Sequence, residues 1–390
     1  MVPLILASFL LTSMVQAAPV CSQVFVSSAA TMGKWQQAKV WFQSFFTKKQ
    51  VEAKNSPVET RNEIDQPFAI IDQCEFGTCS IHATLTQLEQ LQFFLSKNKI
   101  PLSHEYIISA FIKERFAAAL AEVMNSPEST TIPGIQFGSN TAEVLKTIAD
   151  FGARPASSWQ LPEQKPRYFN ESALISKLRA LLYKVKPQLE NAEMTPAQAF
   201  AEADKIIASF FGSPLGEAVA MDDPDAKEFS YDGRDFSAKQ FAQEKFHFAI
   251  LKNLKQIMIS SAKNGDPYRD AAGIWTQDMT AALALRRIQK EIGDGKSVQL
   301  DLLSARAQID NKTGWITKAA SPTDSRGDEG AHAIVVVSFT LNAKKEIDVL
   351  RLQNTRGVSS GDNGYYYIHA SDFDRLIRSV SVFSTPTQQN

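Results

Sequence analysis

The spacing of apolar residues changes along this chain. From Cys79 onward, Ile81, Leu85, Leu88, Leu91 and Leu95 recur at steps of three and four, which predicts a helix with one buried stripe. The same period predicts helices over 104–124 and 141–151, the second ended by Gly152, with a Gly/Pro/Ser-rich loop from Pro127 to Ser139 between them. Ala-, Lys- and Glu-rich stretches at 172–185, 196–211 and 238–263 read as further helices, punctuated by Pro214, Pro224 and Pro267. Beyond about residue 287 the period falls to two. Residues 297–302 and 347–352 alternate, 333–339 is a β-rich apolar run, and 365–368 is aromatic and strand-like. The C-terminal third is therefore expected to be mainly β, and no internal repeat stands out.

Composition sets the surroundings. The chain has 390 residues, long enough for one large or two ordinary domains, and is 44% hydrophobic and 21% charged. A net charge of -1 gives no electrostatic reason to expect nucleic acid or an anionic membrane as partner. The apolar run from Leu4 to Val15, followed by small residues at Ala17 and Ala18, reads as a signal peptide over residues 1–18 and predicts export to a secreted, periplasmic or lumenal location. No later apolar run is long enough for a retained membrane anchor. Residues 19–65 read as an N-terminal arm or short pro-segment. The exported chain would keep three thiols, Cys21, Cys74 and Cys79. If Cys79 stays reduced as a nucleophile, Cys21 and Cys74 are the possible structural pair. Cys74-x4-Cys79 has no matching Cys/His pair downstream, so neither metal nor cofactor is expected.

The candidate chemistry centres on Cys79. Thr78 is placed to cap the helix, which puts Cys79 in its first turn, where free N–H groups and the peptide dipole favour a thiolate. The plainer reading is a small buried hydrophobe. His332 opens the apolar strand and has the chemistry of a general acid/base, and Asn354, twenty-two residues later, ends another strand with an amide able to orient an imidazole. His82, three residues beyond the thiol, is a rival base. Gln73, six residues before Cys79, has a side chain able to donate hydrogen bonds.

Gln73-x5-Cys79 with Gly77, His332-Ala333 leading a strand, Asn354-Thr355-x-Gly357 and Gly361-Asp362-Asn363-Gly364-Tyr365 together resemble the papain superfamily of cysteine peptidases. Phe211-Gly212-Ser213-Pro214 and Phe229-Ser230-Tyr231-x-Gly233 resemble its bleomycin hydrolase branch. The resemblance implies an α+β, two-lobe papain-like fold: a helical lobe over 66–164, a large helical insertion over 165–287, and an antiparallel β lobe over 288–390. It implies Cys79 as nucleophile, His332 as acid/base, Asn354 as the residue holding the ring, and Gln73 completing the oxyanion hole. Gly138 and Ser139 would line a groove for a peptide or protein substrate, and the tail over 379–390 would be positioned to restrict substrates to free N-termini. Three positions depart from the family pattern. Ser80 and Arg356 stand where it has tryptophans, and Ser139 replaces a glycine. The expected activity is peptide-bond hydrolysis through a Cys79 thiolate and an acyl-enzyme. The alternatives are a catalytically silent peptide- or protein-binding relative and an acyl transferase using an amine instead of water.

Overall fold

The computed structural model describes residues 62–64, 68–74, 76–126, 131–162, 171–215, 227–246, 254–260, 266–269, 274–319 and 331–383. The described residues all belong to one compact unit within Glu59–Asn390. The expected signal peptide, Cys21 and most of the expected arm lie outside the described residues, and everything below concerns that unit.

Helices α1 (Cys79–Ser96), α2 (His104–Asn125), α3 (Thr141–Phe151), α4 (Glu171–Glu190), α5 (Pro196–Phe211) and α6 (Ala238–Phe246) share one apolar core, with Leu85, Ile107, Phe111, Phe116, Leu182 and Phe241 at its centre. Their starts are set by side chains that satisfy free backbone donors. Ser103 accepts from the Tyr106 N–H. Asn140 with Glu143, and Thr195 with Gln198, form reciprocal capping boxes, the second followed by Pro196 in the first turn. The helix expected over 238–263 is shorter than its composition suggested. It runs Ala238–Phe246, and Leu254–Ile259 is a strand of the large sheet.

The strands in chain order are β1 (Asn62–Glu63), β2 (Trp159–Gln160), β3 (Ser213–Pro214), β4 (Phe229–Tyr231), β5 (Arg234–Phe236), β6 (Leu254–Ile259), β7 (Tyr268–Arg269), β8 (Trp275–Met279), β9 (Val298–Leu303), β10 (Ala307–Ile309), β11 (Trp315–Lys318), β12 (Ala331–Leu341), β13 (Ile347–Gln353), β14 (Tyr365–His369) and β15 (Ile377–Phe383). Two small pairs, β2–β3 and β4–β5, accompany the helices. The large sheet runs β10-β11-β14-β13-β12-β9-β15-β6-β8-β7, with β1 laid on β12. It is mixed where an antiparallel lobe was expected, because β11–β14 and β6–β8 are parallel. Helix α7 (Ala281–Gly293) packs on it through Ala284, Ile288 and Ile292. The expected tail is also corrected: Ser379 to Phe383 lie in β15, hydrogen-bonded between β9 and β6, so they cannot hang into a groove, and 384–390 lie outside the described residues. Among the described residues no helix is long and apolar enough to cross a membrane.

Helix α1 lies between the two cores. Ile81, Leu85, Leu88 and Leu91 enter the helical core, while Ala83 belongs to the sheet core and Cys79 packs against it. The helix is therefore buried on all sides from Ser80 to Gln92, not along one stripe, and Leu95 is exposed. Its polar face is buried too, because it meets the sheet. Thr84 Oγ1 donates to Gln299 Oε1 at 3.1 Å, Gln87 Nε2 donates to the carbonyls of Ser297 and Ser381 at 3.1 and 3.0 Å, and Gln90 Nε2 donates to Gln353 Oε1 at 3.5 Å.

Candidate active site

Cys79 is the first residue of α1, so its backbone N–H belongs to the unpaired group at a helix start. Thr78 holds the cap position without a side-chain cap bond, and its carbonyl accepts from the His82 N–H at 3.0 Å. Gln73 stands in the turn before it. Its Nε2 donates to the Phe76 carbonyl at 2.7 Å, leaving the second amide hydrogen for another acceptor. Its Oε1 accepts from the Thr355 hydroxyl, and its backbone N–H donates to the Thr355 carbonyl at 2.7 Å. The Phe76 ring pins the turn against Phe137 and Phe211, with ring centroids 5.5 and 5.1 Å away.

His332 lies at the start of β12, opposite Leu302 of β9, and is 8% exposed. Its Nε2 is 3.0 Å from Asn354 Oδ1. A carboxamide oxygen only accepts, so Nε2 carries the hydrogen and Nδ1 is the ring nitrogen left to accept one. The His332 ring hydrogen-bonds Cys79. Burial pushes the Cys79 thiol up, but the hydrogen bond and charge of His332, with the backbone of Ala333, outweigh it and leave the thiol below its ordinary value.

Asn354 follows the end of β13 and is fully buried, its N–H donating to the Gly364 carbonyl at 2.9 Å. The segment after it pairs with the segment carrying Gln73: Asp72 bridges Arg356, and the Gly357 N–H donates to the Ile71 carbonyl at 3.0 Å. Gly357 has φ +75°, and a Cβ there would lie 2.9 Å from Asp72 Oδ2, so glycine is required for this approach. One short ladder thus ties the donor amide to the residue that holds the imidazole. Arg356 points to solvent, and Asn354 is sealed without it.

The two residues expected to line a groove differ from each other. Gly138 is exposed, and a Cβ there would meet nothing within 4 Å. The Ser139 carbonyl accepts from Ser80 Oγ at 2.5 Å, which ties this segment to α1. Ser80, where the family has tryptophan, is buried and serves as that tie. Cys79 is a free thiol and Cys74 is disulfide-bonded, whereas Cys21 lies outside the described residues. Among the described residues no group of three His, Cys, Asp or Glu is arranged to hold a metal.

His82 turns away from the thiol. Its Nδ1 is 2.8 Å from His104 Nδ1, the two rings stack at 5.0 Å, and His104 Nε2 lies 3.6 Å from Glu89. Burial first, then the charge of His104, hold His82 well below the usual imidazole range. Neither His104 as its partner nor Glu171 at the Gly77 N–H was signalled by local sequence. Glu171 opens α4, and its Oε2 accepts from the Gly77 N–H at 2.7 Å across 94 residues of chain.

No family model matches this sequence. No curated protein matches it. Solved structures do. The chain is similar to PepW of Lactobacillus rhamnosis HN001, with TM-score 0.55 and 16% identity over 91% of this chain and 93% of that one. It also aligns with xylellain, a cysteine protease from Xylella fastidiosa, at TM-score 0.38 and 13% identity over 85% and 88%. Digestive procathepsin L 3 of Tenebrio molitor aligns at TM-score 0.38 and 11% identity over 86% and 72%. The likeness of fold rests on the first of these. The chain combines helices and sheet in an arrangement similar to that of PepW.

Proposed function

We propose that the protein is an exported cysteine peptidase of the papain-like type, with its layout nearest the bleomycin hydrolase branch. The observation that carries this is the free thiol at the start of α1, hydrogen-bonded to a buried imidazole whose far nitrogen is held by Asn354. The Cys79 thiolate attacks the scissile carbonyl, and His332 receives the thiol proton and delivers it to the leaving amine. Water then releases the acyl group with His332 as base. The Cys79 N–H and the spare Gln73 amide hydrogen stabilise the oxyanion, and Gly138 and Ser139 border the substrate. Removing one such donor costs roughly 10²–10³ in rate. A bond between Cys74 and Cys21 belongs to the same reading, since a structural disulfide beside a free catalytic thiol suits an oxidising compartment.

The test is Cys79→Ala. The variant should fold as the parent does by circular dichroism and lose peptide turnover by about 10⁴-fold or more. An irreversible thiol-directed epoxide should label the parent at Cys79 and nowhere else. Undiminished cleavage by Cys79→Ala would refute the assignment. Labelling no faster than a small free thiol, with no turnover, would favour the silent peptide-binding relative.

A further inference from the structure

The peptide unit between Phe76 and Gly77 is held at both ends. Its carbonyl accepts from Gln73 Nε2 at 2.7 Å, and its N–H donates to Glu171 Oε2 at 2.7 Å. In a trans peptide the C=O and N–H point in opposite directions, so the two partners fix the plane from its two sides. Gln73 belongs to the turn before α1, while Glu171 is the first residue of α4, 94 residues beyond Gly77. An added Cβ at Gly77 would lie 3.0 Å from the same carboxylate oxygen, so the bare α-carbon gives Glu171 its close approach.

The orientation of this peptide matters to Gln73. The Gln73 Oε1 accepts from the Thr355 hydroxyl, and one Nε2 hydrogen goes to the Phe76 carbonyl. A carboxamide is planar, so these two bonds decide where the remaining Nε2 hydrogen points. That hydrogen is the one assigned to the oxyanion. A flip of the Phe76–Gly77 peptide, least hindered where glycine follows, would turn an N–H toward Gln73 Nε2 and set donor against donor. Glu171 opposes the flip, because a carboxylate only accepts and would then face the carbonyl oxygen. It also polarises the peptide through the N–H, which makes the Phe76 oxygen a better acceptor for Gln73.

We propose that Glu171 is a positioning residue for the oxyanion hole: by locking the Phe76–Gly77 peptide it aims the free Gln73 amide hydrogen. This rests on the peptidase reading. The effect falls on the oxyanion donor and not on the nucleophile, since the side chains that lower the Cys79 thiol are His332 and Ser80. An acidic residue in a first helical turn also favours the helix by its charge alone, and the variants below separate the two roles.

The test compares Glu171→Ala with Glu171→Gln, which keeps an acceptor for the Gly77 N–H and removes the charge. Glu171→Ala should lower kcat by about tenfold with KM within about twofold, and Glu171→Gln should recover most of that loss. Cys79 alkylation by iodoacetamide, a displacement that builds no oxyanion, should keep the parent rate in both variants. In a Gln73→Ala background, itself slower by roughly 10²–10³, Glu171→Ala should cost less than about twofold more. Equal losses with and without Gln73 would overturn the proposal. So would parent-like kcat in Glu171→Ala, or a fall in alkylation that matches the fall in kcat. The Gln73 side-chain amide is also read by NMR in a chain carrying isotope-labelled glutamine, assigned by its loss in Gln73→Ala. Its resonances should move in Glu171→Ala and stay near the parent's in Glu171→Gln; unmoved resonances in Glu171→Ala reject the proposal even in a chain without turnover. Failure of the peptidase reading shows separately, as absent parent turnover and unlabelled Cys79.

Discussion

On one side of α1, Ile81, Leu85, Leu88 and Leu91 sink into the helical core; on the other, Thr84, Gln87 and Gln90 reach the sheet through hydrogen bonds. Both sides are equally dry. Apolar packing has no preferred direction and stabilises in proportion to area, whereas a hydrogen bond holds only over a narrow range of distance and angle. The helical side therefore supplies stability, and the seam sets the register in which Cys79 meets His332. The contrast can be broken from either side.

The largest effect on stability is expected from the apolar side. Leu85→Ala removes a fully buried side chain and should cost about 2–5 kcal/mol in urea unfolding, while the folded fraction keeps its thiol reactivity. From the seam, Asn354→Ala should lower kcat/KM by about 10–100-fold, a cost of roughly 1.4–2.8 kcal/mol in the transition state, with little change in KM. A loss confined to KM would mean that Asn354 does not hold the ring. Gln87→Ala leaves the Ser297 and Ser381 carbonyls buried without their donor, so about 1–3 kcal/mol of stability should go. Its signature is a fall in thiol reactivity that Leu85→Ala lacks.

The smallest effect concerns pH. The folded chain holds His82 well below 6.5, while the unfolded chain binds a proton as pH drops through 6.5. The unfolded state then carries more protons, so the contribution present above pH 6.5 is lost as acid is added, by up to about 1.4 kcal/mol per pH unit. Melting temperature should fall between pH 7 and pH 5, and His82→Gln should flatten that slope. A slope unchanged by His82→Gln would assign the acid sensitivity to other groups.

The apolar side was legible in the sequence because periodicity reports which residues avoid water. It gave α1 with Ile81, Leu85, Leu88 and Leu91, and the strands beginning near Val298, Ala331, Ile347 and Tyr365. The seam was not legible. Thr84, Gln87 and Gln90 lie off the apolar stripe, and a polar residue facing water and one facing a buried partner look alike until the partner is placed. Leu254–Ile259 was hidden for a related reason: its partners β8 and β15 are distant in sequence, and its lysine and glutamine sit in a helix-like context. His82 with His104, and Glu171 with Gly77, are likewise products of packing.

The most direct test of the seam's role is the pH profile of Cys79 alkylation by iodoacetamide, in the parent and in His332→Ala. The Cys79 thiol is held below its ordinary value by His332 against the opposing pull of burial. The parent should therefore react rapidly at pH values where a free thiol is protonated, and His332→Ala should move the profile upward by about one pH unit or more. Superimposable profiles in the two proteins, both at the ordinary thiol value, would show that the imidazole does not activate the sulfur and would contradict the account.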